Sequence, residues 1–271
     1  MILSFEQYAA LDGINASSIK HGRLSMLHMH HAMTGGWTDP SPAMQRGTHL
    51  HGVILEPDEY TPRLNVWTGK VKSGKAWTEW CKVHDQAMTV TQALYDELMR
   101  VAEIVHANKD AANLIAASSH EVSLLWEHDD YGKGKARVDG MGKASIFDLK
   151  TTGAIEPRRF FNSAYDMGYH IQMGWYCHGV EVLTGSRPLA QVIVLEQKEP
   201  HDCYVLDIPD AIISRGMEEA IEIARRYHAH RMTGFFPGVS GGERLTYELP
   251  KWLATGETWT VGDETEGQDN D

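Results

Sequence analysis

An α/β fold, with a central mixed sheet flanked by helices, is predicted by three features of this sequence. Residues 137–150, RVDGMGKASIFDLK, place Val138, Ile146 and Phe147 around the punctuating Gly140 and Gly142, the pattern of a β-hairpin. Residues 160–183 carry the pattern of a long helix. Two further strands follow at 189–196 and 203–208, and Pro209 then opens a last helix to about Thr233.

Taken in order, residues 1–33 predict helix. Asn15, Ser17 or Ser18 offers the N-cap of a helix running toward His31. His28, His30 and His31 lie at i+1 and i+2 spacings that do not share a helix face, with no carboxylate nearby, so they read as a solvated cluster. Residues 34–42 are a loop by their Gly, Pro and Asp content. Met44, Leu50, Val53 and Ile54 suit a helix that stops before Pro57. Residues 64–82 read as a loop, with Lys70, Lys72 and Lys75 beside Trp67, Trp77 and Trp80. Basic residues interleaved with aromatics suit contact with a nucleic-acid strand, and the alternative is an exposed loop beside core tryptophans. Thr91 is placed to cap a helix to Ala117, with Leu94, Leu98, Val101 and Val105 on one face. Residues 121–126 then begin the sheet, and Lys133, Lys135 and Arg137 lead into the hairpin, where they could meet phosphates.

The length of 271 residues fits a single domain over 1–256 followed by an acidic tail, 257–271, expected to be disordered. Hydrophobic residues at 42% and charged residues at 23% indicate a soluble globular chain. No run of 18 apolar residues predicts a membrane span, and the N-terminus lacks the basic and apolar regions of a signal peptide. Cys81, Cys177 and Cys203 are scattered and odd in number, as expected of reduced thiols in a cytoplasmic protein. The tail holds six acidic residues and no Lys or Arg, half of the net charge of −12. That balance argues against a protein that coats nucleic acid through its overall field, so any such contact must use local basic patches.

The hairpin is where the chemistry concentrates. If Lys143 and Ala144 form its two-residue loop, Asp139 lies opposite Asp148. Asp148 and Lys150, two apart on one strand, face the same side. Opposed carboxylates destabilise a sheet unless a cation sits between them. Lys150 is one such cation, and Mg²⁺, which takes oxygen ligands, would be a stronger one. Solvated charges on an exposed hairpin are the alternative. Tyr169, Gln172 and Tyr176 share one helix face, and the amide of Gln172 needs polar partners there, whereas Tyr165 and Trp175 read as core aromatics.

The ordered set GTHLH, RVD, DLKTT and QMGWY resembles the PD-(D/E)XK (restriction-endonuclease-like) nuclease superfamily, within it the RecB-type branch and the phage exonuclease VIII (RecE-type) group. The resemblance implies Mg²⁺ or Mn²⁺ held by His51, Asp139, Asp148 and the backbone carbonyl of Leu149. His51 rather than His49 matches the helical Gly-x-x-x-His of that branch. It implies that Lys150 orients the attacking water or stabilises charge, with Gln172 and Tyr176 beside the active site. Glu121 matches a glutamate often found ahead of the Asp strand, either near the metal or as an edge-strand charge. Lys70, Lys72, Lys75 and Arg137 are the candidate DNA contacts. The activity implied is a 5′→3′ exonuclease on double-stranded DNA ends in phage or prophage recombination, inside a bacterial host cell. Such enzymes feed a single-strand annealing protein, and ring-shaped oligomers are known among them. Three cysteines are too few for the four-cysteine iron–sulfur cluster of some RecB-type relatives. The rivals are a structure-specific endonuclease of the same fold and a non-enzymatic DNA- or partner-binding module.

Overall fold

The computed structural model describes residues 1–35 and 41–246, so the tail expected from 257 onward lies outside the described residues. The elements in chain order begin with α1 (Phe5–Ala10), α2 (Ala16–Gly22), α3 (Met26–Met33), α4 (Pro42–Leu55) and α5 (Pro57–Tyr60). They continue with β1 (Asn65–Trp67), α6 (Gly74–Trp80), β2 (Thr89–Thr91), α7 (Gln92–Ala107) and α8 (Lys109–Ala116). Then come β3 (Ser119–His128), β4 (Gly132–Met141), β5 (Ser145–Thr152), α9 (Pro157–Asp166), α10 (Tyr169–Thr184), β6 (Leu189–Glu196), β7 (Cys203–Ile208) and α11 (Asp210–Thr233). Among the described residues no helix is long and apolar enough to cross a membrane.

The five-stranded sheet has the order β3-β4-β5-β6-β7, antiparallel except where β5 and β6 pair in parallel. It is therefore the mixed sheet the sequence predicts, and it has helices on both faces. Ile146, Val138 and Trp126 pack into a core with α2, α3, α10 and α11. Phe147 and Leu149, on the alternate positions of β5, pack into a second core with α4, α7 and α8.

Four expected elements differ in detail. The N-terminal helix is three short ones: Asn15 caps α2 by accepting from Ser18 N–H, and Ser25 restarts the chain as α3 by accepting from His28 N–H. The helix expected from Thr91 to Ala117 is broken at Asn108, whose side chain accepts from Asp110 and Ala111 N–H and so caps α8. Asn favours a cap over a helix interior because its amide competes for the backbone. The long helix expected at 160–183 is split by Gly168 at φ 72, a left-handed residue that ends α9 and begins α10. Residues 64–82 are not one loop, because β1 pairs in parallel with β2 and α6 follows it.

Two further sequence readings are corrected. Tyr165, expected in the core, is 40% exposed and stacks on His170. His30, expected in a solvated cluster, is half-buried: it stacks on Phe236 and its Nδ1 lies 3.2 Å from Tyr227 OH.

α10 is buried from His170 to Val180 and is locked to its surroundings by close packing. A Cβ at Gly216 of α11 would lie 1.9 Å from the His170 carbonyl oxygen, and one at Gly174 would lie 2.3 Å from Met217 N. Only glycine permits that approach. Against the sheet, Trp175 Nε1 donates to Lys135 O at 3.1 Å. Trp126 Nε1 donates to Tyr131 OH at 2.7 Å, leaving the phenol proton for His178 Nε2, also 2.7 Å away.

That last bond requires a neutral imidazole. Burial, and then the neighbouring His128, push His178 down to about 4. Its folded value lies below the ordinary histidine range, so the unfolded chain binds more protons between about pH 6.5 and 4. Stability should therefore be level in this term above pH 6.5 and fall as the pH drops toward 4, by at most about 3 kcal/mol. Melting curves across that range for the wild type and His178→Gln check it. The variant, which cannot charge, should show the smaller acid loss.

Candidate active site

The site forms where β4 and β5 part. Their ladder has two rungs, Gly140 with Phe147 and Met141 with Ile146, and the turn closes through Gly142 N–H to Ser145 O at 2.8 Å. This is the register that Lys143 and Ala144 as the loop require. It brings Asp139 and Asp148 next to be paired, but the ladder stops there. Asp139 Oδ2 accepts instead from Leu149 N–H at 2.7 Å. The Phe147 ring lies over the backbone of Gly140, where an added Cβ would meet it at 1.9 Å, so a glycine must follow Asp139.

β3 contributes from the other side. Its register with β4 continues past His120↔Gly140 to Val122↔Val138, and the rung between them, Glu121 opposite Asp139, is missing. Glu121 sits at φ 52, a left-handed conformation that is costly for a glutamate within a strand. His51, on the last turns of α4, places Nδ1 3.3 Å from Asp139 Oδ2. His51, Glu121 and Asp139 thus form a trio whose ligand atoms all lie within 4.8 Å of one another. His49 points elsewhere: it is buried, with Nδ1 3.0 Å from Tyr60 OH.

Asp148, which the sequence grouped with the metal ligands, is not in that trio. Its Oδ2 pairs with the Lys150 ammonium, though without the alignment of a hydrogen bond, and its Oδ1 accepts from Gln172 Nε2 at 2.8 Å. Gln172 Nε2 also donates to Tyr176 OH at 3.0 Å, and Gln172 Oε1 accepts from Lys20 Nζ at 2.9 Å. The Lys150 and Lys20 ammonium groups lie 4.8 and 5.1 Å from the centre of the Tyr169 ring. The helix face of Tyr169, Gln172 and Tyr176 is therefore the one turned to the hairpin.

The electrostatics follow from burying like charges together. Burial, and then the charge of Asp148, push Asp139 up to about 7, against the opposing influence of His51 and Lys150. Burial alone would lower Lys150, but the charges of Asp148 and Asp139 outweigh it and hold the ammonium above its ordinary value. Burial, joined by the positive charge of Lys150 and countered by Asp148, brings Lys20 down to about 8. Tyr176 is raised well above the ordinary phenol range, chiefly by burial, and stays protonated.

These observations also test the fit of a divalent cation. Asp139 is a buried carboxylate beside two other carboxylates, with an imidazole as its near neighbour on the α4 side. Hard oxygen donors with one imidazole suit Mg²⁺ or Mn²⁺. The residues fit.

The expected DNA contacts fare unevenly. Lys70 and Lys75 are exposed near the cluster in which Trp67 packs against Trp77 and Trp80. Lys72 instead donates to Thr89 O at 2.8 Å and lies over the Trp77 ring. Arg137 pairs through Nε with Glu121 Oε2, while its buried Nη1 has no hydrogen-bond partner among the described residues. The sequence missed Lys20, which is 152 positions from Gln172, and no local signal in α2 could have found it.

The sequence model of a family described as a PDDEXK-like domain of unknown function (DUF3799) matches residues 15–246. No curated protein matches the chain. Among solved structures, a presumed exonuclease from Eubacterium rectale superposes with a TM-score of 0.65 at 14% identity, over 95% of this chain and 100% of that one. That likeness shows the fold. An alkaline exonuclease from Laribacter hongkongensis gives 0.37 at 14% identity, over 84% of this chain and 95% of that one. A phage-related exonuclease from Haemophilus somnus 129PT gives 0.37 at 12% identity, over 82% and 96%.

Proposed function

The chain belongs to this family of PDDEXK-like domains, and on that premise we propose that it is a metal-dependent deoxyribonuclease acting on DNA ends. The observation that carries the reading is the convergence of His51, Glu121 and Asp139 within 4.8 Å, beside the Asp148–Lys150 pair. His51, Glu121 and Asp139 would hold the cation, with Asp148 and the Leu149 carbonyl adjoining from β5. Such an ion supplies Lewis-acid polarisation of the phosphate and a lowered pKa for the attacking water.

The chain's own residues do the rest. Lys150 is held charged by Asp148, so it serves as a fixed cation for the negative charge that develops on the phosphate, not as a proton acceptor. Gln172 donates to Asp148 and keeps its carboxylate turned toward Lys150. Tyr176, protonated and buried, accepts from the same amide. Lys70 and Lys75 are exposed and could meet backbone phosphates.

The finer reading, a 5′→3′ exonuclease on double-stranded ends working with a single-strand annealing protein in phage or prophage recombination, rests on the resemblance of the motif set to the RecE-type group. The test is incubation of linear and of covalently closed circular DNA with the protein and Mg²⁺. An exonuclease degrades linear DNA alone, labelled ends then give the polarity, and opening of the circle would indicate an endonuclease. Both substrates left intact would overturn the proposal.

A further inference from the structure

Gln172 lies between two partners whose chemistry leaves it a single orientation. An ammonium only donates and an ionised carboxylate only accepts. The side-chain amide must therefore turn Oε1 to Lys20, at 2.9 Å, and Nε2 to Asp148 Oδ1, at 2.8 Å. Without Lys20, the flipped amide would lose a charge-assisted bond at one end only, and water could replace it. With Lys20 in place, flipping sets Nε2 against an ammonium and Oε1 against a carboxylate, two repulsions in a buried setting.

Lys20 is itself held for this task. It sits on α2, which packs into the same core as α10, and its ammonium lies 5.1 Å from the centre of the Tyr169 ring that Lys150 faces at 4.8 Å. Asn15 caps that helix five residues earlier through Ser18 N–H at 2.9 Å, fixing its start. Among the described residues no carboxylate pairs with Lys20, and its one direct polar contact there is the Gln172 side-chain carbonyl.

We propose that Lys20 is a positioning residue: it fixes the Gln172 amide, Gln172 fixes Asp148, and Asp148 fixes the Lys150 ammonium. The inference rests on the nuclease reading above, in which Lys150 faces the phosphate. It makes the N-terminal helices part of the catalytic apparatus and not only packing.

The experiment combines kinetics on linear double-stranded DNA with Mg²⁺ and a ¹⁵N correlation spectrum of the side-chain amides. The proteins are the wild type, Lys20→Met, Lys20→Arg, Gln172→Leu and the double variant Lys20→Met/Gln172→Leu. Lys20→Met should lower kcat by about 10- to 100-fold with little change in KM. Lys20→Arg, which keeps a donor to Oε1, should recover most of that loss. In the Gln172→Leu background, Lys20→Met should cost nothing more, because the two act in series.

Additive losses, or a rise in KM at unchanged kcat, would overturn the proposal, the latter pointing to direct phosphate contact. The spectrum reads the link without catalysis. The Gln172 amide signal, identified by its absence in Gln172→Leu, should move toward the position of a free side chain in Lys20→Met and stay near its wild-type place in Lys20→Arg. An unmoved signal in Lys20→Met would refute the link by itself. If the wild type cleaves no DNA, the nuclease reading falls, and the amide signal still decides whether Lys20 orients Gln172.

Discussion

Asp148→Ala and Lys150→Ala are each expected to lower DNA hydrolysis by about 10²- to 10³-fold or more, the cost of removing a preorganised charge from a water-excluded site. The two should differ in stability. Lys150→Ala strands a buried carboxylate, a change that typically costs about 3–5 kcal/mol. Asp148→Ala strands the ammonium but removes the like charge that adds to burial in raising Asp139, so its melting temperature should fall less. Rates on linear DNA together with melting curves separate the two effects. Near-normal turnover by either variant would remove the pair from the mechanism.

The second large effect distinguishes two histidines two residues apart. His51 faces Asp139 and belongs to the trio, whereas His49 is buried against Tyr60. His51→Ala should weaken metal affinity and activity by about 10- to 100-fold with little loss of stability. His49→Ala should do the reverse, since it leaves the Tyr60 hydroxyl without its partner, at about 1–3 kcal/mol, and should leave kcat nearly unchanged. The assay is activity against Mg²⁺ concentration for each variant, with a melting curve beside it. Equal losses of activity would mean that α4 presents the wrong face.

Much of this arrangement was legible in the sequence because it depends on local periods. Strands β6 and β7 coincide with the apolar runs at 189–196 and 203–208, bounded by Gly, Pro and charged residues. The hairpin register followed from the spacing of Asp139 and Asp148 and from the two-residue loop. The shared face of Tyr169, Gln172 and Tyr176 followed from helical geometry.

What escaped has physical reasons too. Asn108 and Gly168 break helices whose apolar pattern runs on across the break, so periodicity alone misses them. Glu121 joins His51 and Asp139 through a left-handed backbone in mid-strand, which no residue propensity announces. Lys72 and Arg137 read as free cations, but each finds an internal acceptor that only the tertiary structure supplies. Lys20 reaches the site across 152 positions.

Melting without DNA reads whether Asp139 is placed to take a cation. Its folded pKa is raised above the unfolded value, so its favourable contribution is full at low pH and is lost as the pH rises through about 7. At pH 8, then, the ion-free protein carries the whole penalty. A cation that binds only the folded state raises stability by RT ln(1 + [L]/Kd), roughly 2.7 kcal/mol at about 100 times Kd. Four melting curves at pH 8 are needed: the wild type and Asp139→Asn, each with chelator and with millimolar Mg²⁺. Asp139→Asn should melt at or above the wild type in chelator, because an amide keeps the acceptor for Leu149 N–H without the charge, and should lose most of the Mg²⁺-induced rise. A Mg²⁺ shift as large in Asp139→Asn as in the wild type, or no shift in the wild type at all, would rule out Asp139 as a cation ligand.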